Sequence, residues 1–147
     1  MTDQGFSPDQ VTAEEFASLV ANATDDQIQE VIRGVGTKET LQRIFGNFPE
    51  RFQPDKAQGV DAEIQFVVTD QGEEFAHLVI VRDGTCTTEE KRAEDPRVTL
   101  TTDLVSFVKL ITGQAQGVQL FMTGKLKVSG DLMFSQRIMT FFEPAKA

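Results

Sequence analysis

The chain has 147 residues, of which 39% are hydrophobic, and this composition fits one soluble globular domain with its own core. A net charge of -9 argues against nucleic acid as a partner and against simple electrostatic docking to anionic membranes. One cysteine excludes an intramolecular disulfide, and no apolar run is long enough for stable membrane insertion. Because residues 1–10 lack the pattern of a signal peptide, we predict a cytoplasmic protein.

The first third of the chain is predicted to be helical. Two capping boxes, Thr12 to Glu15 and Thr24 to Gln27, each precede an amphipathic stripe, and a third helix is predicted to begin near Thr37. We predict that this helical segment, residues 1–58, packs on the main domain, residues 59–147. A lid or a contact between protomers is the alternative role.

Strand-like alternation begins after the helical segment. From Val60 to Val68 the even-numbered residues are apolar, whereas Gln65 lies among the polar residues of the other face, so the predicted sheet has one wet face. The dipeptides Gln71-Gly72 and Asp83-Gly84 predict two hairpin turns. The charged residues of 89–95 indicate a solvated loop.

The last third alternates strands and helices. Thr102 is predicted to cap a helix, and Asp131 is predicted to cap the final one. Between them Lys125 and Lys127 alternate with aliphatic residues, so the lysines are expected to face water. They could contact an anionic head group at a pocket mouth, but lysines at such positions more often protect an edge strand from aggregation.

The final helix has more apolar surface than one buried stripe requires. Its apolar residues form one arc, and others extend around the cylinder. Three of the four methionines of the chain lie in this last third, and methionine repacks easily around partners of different shape. A loosely patterned core, a homodimer interface and a ligand cavity all remain open. The arc comprises Phe134, Ile138, Phe141 and Phe142, and the extension comprises Leu132, Met133 and Met139.

Candidates for catalysis are few. His77 and Cys86 are the only residues of their types, so no cluster of cysteine and histidine ligands for a metal can form. A Cys–His nucleophile pair would require a thiol of lowered pKa, but Cys86 has no basic neighbour in the sequence. We therefore predict no catalytic residues, no metal and no cofactor. An acyl-transferring or thioester-processing enzyme that uses Cys86 is the enzymatic alternative.

Three stretches of the last third carry a family resemblance: T-x-T at a strand end, D-L-V-S-F-V-K-L-I-T-G, and L-F-M-T-G-K-L-K-V-S-G-D-L. From Gly59 to Phe142 the chain resembles the sterol carrier protein 2 (SCP2) family of lipid-binding domains. The resemblance implies an α+β fold with a five-stranded, largely antiparallel sheet and helices packed on one face. It also implies a hydrophobic tunnel between sheet and helices that takes an acyl chain or a sterol.

The resemblance and the sparse chemistry together predict non-enzymatic binding and carriage of a lipid, such as a fatty acid, fatty acyl-CoA, sterol or phospholipid. An accessory or dimerisation module that presents a lipophilic intermediate to partner enzymes is the alternative. The predicted ligand-binding residues are apolar and come mostly from the last third of the chain: Ile64, Phe66, Phe107, Leu110, Ile111, Leu120, Phe121, Met122, Leu126, Val128, Leu132, Met133, Ile138, Met139 and Phe142.

Overall fold

The computed structural model describes residues 13–142, which form helices and one five-stranded sheet. The helices are α1 (Ala13–Asn22), α2 (Asp25–Val35), α3 (Thr37–Gly46), α4 (Phe48–Arg51), α5 (Leu104–Ile111), α6 (Gly117–Met122) and α7 (Leu132–Ile138), with short 3-10 turns at Pro54–Ala57 and Met139–Phe141. The strands are β1 (Ala62–Asp70), β2 (Glu73–Arg82), β3 (Thr85–Glu89), β4 (Val98–Asp103) and β5 (Leu126–Gly130).

The strand order in the sheet is β3-β2-β1-β4-β5. Strands β1 and β4 are parallel, with Ile64 opposite Val98, and the other three pairs are antiparallel. The predicted α+β fold with a five-stranded, largely antiparallel sheet is confirmed, although the sheet is mixed. The two predicted hairpin turns are also present, and at Gln71-Gly72 and Asp83-Gly84 all four residues have positive φ, as the tight turns between strands require.

The helices pack on one face of the sheet, where the core lies. The even-numbered residues of β1 from Ala62 to Val68 point into this core, as the alternation predicted, and Ile64 and Phe66 are almost completely buried there. The predicted arc of the C-terminal segment is buried as well. Its members are Phe134, Ile138, Phe141 and Phe142.

The opposite face of the sheet is covered in part by the connection from β3 to β4, residues 90–97. Gln65 reaches this connection: its Nε2 donates to the Lys91 carbonyl at 3.0 Å, and its Oε1 accepts from the Ala93 N–H at 2.7 Å. Leu78 pairs with Gln65 in the register of β1 and β2, and both are buried. The prediction that Gln65 faces water is therefore wrong, because the backbone of the crossing segment takes the place of water.

The N-terminal helices are attached to the domain by polar contacts. Asp70, at the end of β1, accepts hydrogen bonds from Gln29 Nε2 at 2.8 Å and from Thr37 Oγ1 at 3.0 Å. The capping box of Thr24 and Gln27 is confirmed, whereas the box predicted at residues 12–15 lies outside the described side chains. Helices α2 and α3 are thus held at the β1–β2 hairpin.

The N-cap of α5 lies one residue after the predicted position. Asp103, rather than Thr102, caps α5, and its Oδ2 accepts from the Ser106 N–H at 3.1 Å. Thr102 is still in β4 and its hydroxyl donates to the Lys125 carbonyl at 2.8 Å, which joins β4 to the start of β5. The predicted cap at Asp131 is confirmed by a 2.9 Å bond from the Phe134 N–H.

Candidate functional site

Two apolar cavities lie beside α6. The first, which we call the α6–α7 cavity, has a volume of about 180 Å³ and lies between α6, α7 and strands β4 and β5. The second, which we call the α4–α5 cavity, has a volume of about 290 Å³ and lies between α4, α5 and the start of α6. The α6–α7 cavity is lined by Leu100, Leu110, Gly117, Val118, Phe121, Leu126, Val128, Leu132, Ser135, Gln136 and Ile138. The α4–α5 cavity is lined by Phe48, Arg51, Leu110, Ile111, Gly113, Ala115, Gln116, Gly117, Val118 and Phe142.

The two cavities share a wall made of Leu110, Gly117 and Val118. Gly117 has no side chain at this wall, and a Cβ placed there would lie 3.8 Å from Leu110 Cδ1.

The α6–α7 cavity opens to solvent through apolar side chains. Three of its lining residues are also strongly exposed: Val118 at 59%, Phe121 at 45% and Leu132 at 46%. Met122 and Met133, which follow Phe121 and Leu132 in the sequence, are each 78% exposed. An exposed apolar surface continuous with an apolar cavity is typical of a binding site for an apolar molecule.

Polar groups in the lining of the two cavities are few. Arg51, on α4, is the only charged residue among the lining residues of either cavity. Gln116 accompanies it in the α4–α5 cavity, and Ser135 and Gln136 lie on α7 in the other. Such a lining is typical of a site that binds its ligand mainly by apolar burial.

Aromatic side chains fill the space between the sheet and the helices. The ring of Phe45 lies 5.4 Å from that of Phe66 and 5.1 Å from that of Phe107, centroid to centroid. Phe48 continues this cluster at 4.9 Å from Phe45. Ile64, Phe66 and Phe107, which the sequence analysis assigned to the ligand wall, therefore lie in closed core and line neither cavity.

The remaining predicted wall residues separate into groups. Leu120 is buried but lines neither cavity, and Met122 and Met133 are exposed beside the mouth. The side chain of Met139 lies outside the described part of the chain. Eight predicted residues do line the cavities, and their role in binding stays a prediction: Leu110, Ile111, Phe121, Leu126, Val128, Leu132, Ile138 and Phe142.

Several lining residues are not among those predicted from the sequence. Val118 belongs to the same apolar run as Phe121 and could have been chosen on that ground. Phe48 has the helical spacing expected of the apolar face of the third helix but was not assigned to the ligand wall. Arg51 lies on α4, a four-residue helix in a stretch that reads as a turn, so no periodicity points to it. Leu100 follows from the strand alternation of β4, whereas Ser135 and Gln136 carry no apolar signal.

The two candidate catalytic residues are not brought together. Cys86 pairs with Val81 in the β2–β3 register, four residues along β2 from His77, which is about 13 Å at the usual rise of a strand. Burial raises the pKa of the Cys86 thiol to about 12, which keeps the sulfur protonated and unreactive. Among residues 13–142 no group of three or more His, Cys, Asp or Glu side chains could hold a metal ion.

The architecture and the apolar cavities are typical of small lipid-binding domains. Comparison with known families agrees, because the model of the SCP-2 sterol transfer family matches residues 41–143. The chain belongs to this family. None of the curated proteins matches its sequence. Within residues 13–142 no helix combines the length and the apolar character that crossing a bilayer requires.

Solved structures show the same fold at low sequence identity. The stereoselective inverting sec-alkylsulfatase Pisa1 from Pseudomonas sp. is 17% identical with a TM-score of 0.64, over 78% of this chain and 17% of that one. Sterol Carrier Protein 2 from Yarrowia lipolytica in its apo form is 22% identical with a TM-score of 0.58, over 74% and 91%. Palmitated SCP2L2 from Aedes aegypti is 19% identical with a TM-score of 0.53, over 68% and 87%. The chain thus spans less than a fifth of the sulfatase but nearly all of the carrier domains.

Proposed function

We propose that the protein binds and carries a long single-chain lipid, in the first place a fatty acid, without chemically changing it. The observation that carries this proposal is the pair of apolar cavities with a shared wall, one of which is lined by the exposed residues Val118, Phe121 and Leu132. Burial of a chain of sixteen carbons contributes about 0.8 kcal/mol per methylene, or roughly 12 kcal/mol before ordering and association costs. Apolar contact alone can therefore retain such a ligand.

A long-chain ligand would occupy both cavities at once. Each is smaller than the range of about 300–1,000 Å³ that is usual for ligand pockets, so a long chain would need both. Rotation of Leu110 and a small shift of α6, a helix of only six residues, would open the wall between them. The helical segment of residues 1–58 then contributes Phe48 and Arg51 to a pocket that otherwise belongs to residues 59–147.

Arg51 supports the choice of a fatty acid. A guanidinium beside an apolar cavity stabilises a carboxylate by charge-assisted hydrogen bonds, whereas a sterol hydroxyl gains much less from it. The relative from Aedes aegypti, a palmitated protein by its description, has the same fold. In our proposal the carboxylate lies at Arg51 and the tail extends towards the mouth between α6 and α7.

The test is a titration with a fluorescent long-chain fatty acid. Val118→Glu places a carboxylate in both cavities at a position that is already 59% exposed, so folding is retained. We expect its affinity to fall by about tenfold or more, because a charge against the buried chain is desolvated. Met122→Glu, at a more exposed position that lines neither cavity, is the matched control. Equal affinity of Val118→Glu, Met122→Glu and the unmodified protein would contradict the assigned pocket.

A second function has one observation in its favour. The exposed apolar residues beside the mouth, with Met122 and Met133 at 78% exposure, would also suit an accessory module that dimerises or presents a lipophilic intermediate to a partner enzyme. A mass that rises with concentration in light scattering, in protein from which no lipid can be extracted, would favour this alternative.

A further inference from the structure

An open groove lies at the surface between α1 and α2, before residue 41, where the family match begins. We call it the α1–α2 groove; its volume is about 590 Å³ and its exposed surface is mainly apolar. Leu19 and Val31 are partly buried in it, and among the described residues neither packs against the main core. The groove is lined by Ser18, Leu19, Asn22, Ala23, Gln27 and Val31. Apolar side chains of both helices are thus presented together at the surface.

The two helices that form this groove are fixed to the domain. Val20 of α1 is buried in the main core, and Lys109 of α5 forms an ion pair with Asp25 at the start of α2. Near the other end of α2, Arg33 Nη2 lies 3.6 Å from Asp70 Oδ1, beside the hydrogen bonds that Asp70 accepts. The groove is therefore preformed, and a partner that binds it does not first have to order α2.

The net charge of the chain is concentrated in this part of the sequence. Residues 1–32 contain seven acidic residues and no basic one, whereas residues 33–147 contain 16 acidic and 14 basic residues. The remainder of the chain is thus close to balanced. The negative charge belongs mainly to the segment that forms the α1–α2 groove and to the residues that precede it.

Part of this charge borders the groove directly. Asp26 and Glu30 lie four residues apart on α2 and therefore form one row along the helix. Each precedes a lining residue, Gln27 or Val31, whereas the buried Ile28 lies on the opposite side of the lining row. The acidic row is therefore at the solvent side of the groove. Both acids are exposed, and within residues 13–142 neither forms an ion pair.

We propose that the α1–α2 groove binds a basic amphipathic helix of a partner protein. The apolar face of that helix lies between α1 and α2, and its lysine or arginine residues lie against Asp26 and Glu30. A helix suits this place because side chains of two neighbouring helices form ridges and grooves into which a third helix packs. The two helices have ten and eleven residues, about 15 Å each, so about three turns of the partner fit. This interaction is independent of lipid carriage, since no lining residue of either cavity belongs to the groove.

Charge favours this occupant over the others that an apolar groove could take. A second copy of the chain would bring two acidic rows to one interface, and two chains of net charge -9 repel each other. Residues 1–12 of the same chain contain two acidic residues and no basic one, so they do not complement the row either. Anionic bilayers and nucleic acids have the same sign of charge as the groove. A basic helix gains from that charge both in its rate of association and in its selection over other partners.

The test is fluorescence anisotropy of labelled model peptides titrated with the full chain. The probe is a peptide of about 18 residues with leucine at helical spacing and lysine elsewhere. One comparison peptide has glutamate in place of lysine, and another has the leucines and lysines of the probe in an order without a helical period. We expect binding of the probe alone, weakened by salt because its lysines pair with an exposed acidic row.

Substitutions of the apolar lining place the binding site. Leu19→Gln with Val31→Gln should weaken binding of the probe by about tenfold or more, because the apolar face of the peptide loses its contacts. Leu19→Met with Val31→Ile should retain it. Met122→Ser with Met133→Ser removes the exposed apolar side chains of α6 and α7 instead, and should leave binding unchanged. Loss of binding in the serine pair, or full binding in the glutamine pair, would overturn the proposal.

Substitutions of the acidic row test the choice of partner, and they decide the question even if the glutamine pair does not fold. Asp26→Asn with Glu30→Gln should weaken binding of the probe by about threefold or more at low salt. Glu94→Gln with Asp95→Asn makes the same change in net charge at exposed positions between β3 and β4, and should have no effect. Equal loss in both acidic pairs, equal binding of the glutamate peptide, or no binding of any peptide would overturn the proposal. So would a dimer that the glutamine pair converts to a monomer.

Discussion

The imidazole of His77 lies flat against the ring of Phe45, with 4.3 Å between centroids and 9° between planes. This contact joins β2 to α3 in the aromatic cluster that separates the sheet from the helices. His77 Nε2 is buried and has no hydrogen-bond partner in the described residues. Burial lowers the pKa of His77 below 6.5, although the nearby charge of Glu90 acts in the opposite direction. The histidine is therefore neutral in the folded protein at neutral pH.

The lowered pKa makes stability depend on pH. Below pH 6.5 the unfolded chain binds a proton at His77 that the folded protein does not, so unfolding becomes more favourable as the pH falls from 6.5 towards the folded pKa. This group can contribute at most about 1.4 kcal/mol per pH unit. His77→Phe keeps the ring contact and removes the titration. Urea unfolding at several pH values should give a smaller acid loss for the variant; equal losses would contradict this account.

Gln65 should be important for stability although its neighbours in sequence suggest a wet surface. Gln65→Ala leaves the Ala93 N–H and the Lys91 carbonyl without their partner. We expect the free energy of unfolding to fall by about 1–3 kcal/mol. Glu63→Ala is the control, since Glu63 lies on the same face of β1 and its carboxylate forms a 3.6 Å ion pair with the half-exposed Arg82; the substitution should cost less than about 1 kcal/mol. A smaller effect at Gln65 than at Glu63 would refute the anchoring of residues 90–97.

Two substitutions of Gly117 should have different effects on stability and on ligand binding. Gly117→Ala has room, since its Cβ would meet Leu110 at 3.8 Å, and should stabilise the protein by about 0.4–1 kcal/mol through the unfolded state. Gly117→Leu would extend into the cavities on both sides of the shared wall and should weaken fatty-acid binding. Thermal unfolding and the fluorescent titration measure the two effects. Unchanged affinity in folded Gly117→Leu would show that the ligand does not pass this wall.

Cys86 should be inert. Because burial raises its pKa to about 12, the thiol should react with iodoacetamide at neutral pH far more slowly than a free thiol, and at the free rate once the protein is unfolded. Mass spectrometry of the alkylated protein over time measures both rates. Fast labelling in the native state would revive the thioester chemistry that the structure disfavours.

Much of the fold could be predicted because local signals agree with it. The alternation of β1, the two hairpin dipeptides and the caps at Thr24 and Asp131 each depend on neighbours in sequence, and each is confirmed. Gln65 shows the limit. Whether a polar strand residue meets water or a distant backbone depends on the path of residues 90–97, which periodicity does not encode.

The candidate site was predictable only in part, for the same reason. Apolar residues of α5 to α7 line the cavities, but composition does not distinguish a cavity wall from a filled core, so Ile64, Phe66 and Phe107 were chosen alongside Leu110. The space that separates them is filled by Phe45 and Phe48, which belong to helices distant in sequence. Arg51 could not be predicted because a helix of four residues is too short to show a hydrophobic period.

The central claim is that the pocket beside α6 holds a lipid, and native mass spectrometry tests it most directly. Freshly purified protein, and protein stripped of lipid and then incubated with palmitate, are measured intact and after organic extraction. The account predicts an added mass that is released as a fatty acid, and its loss in Val118→Glu but not in Met122→Glu. A bare polypeptide mass in every sample, unchanged after palmitate is added, would contradict it.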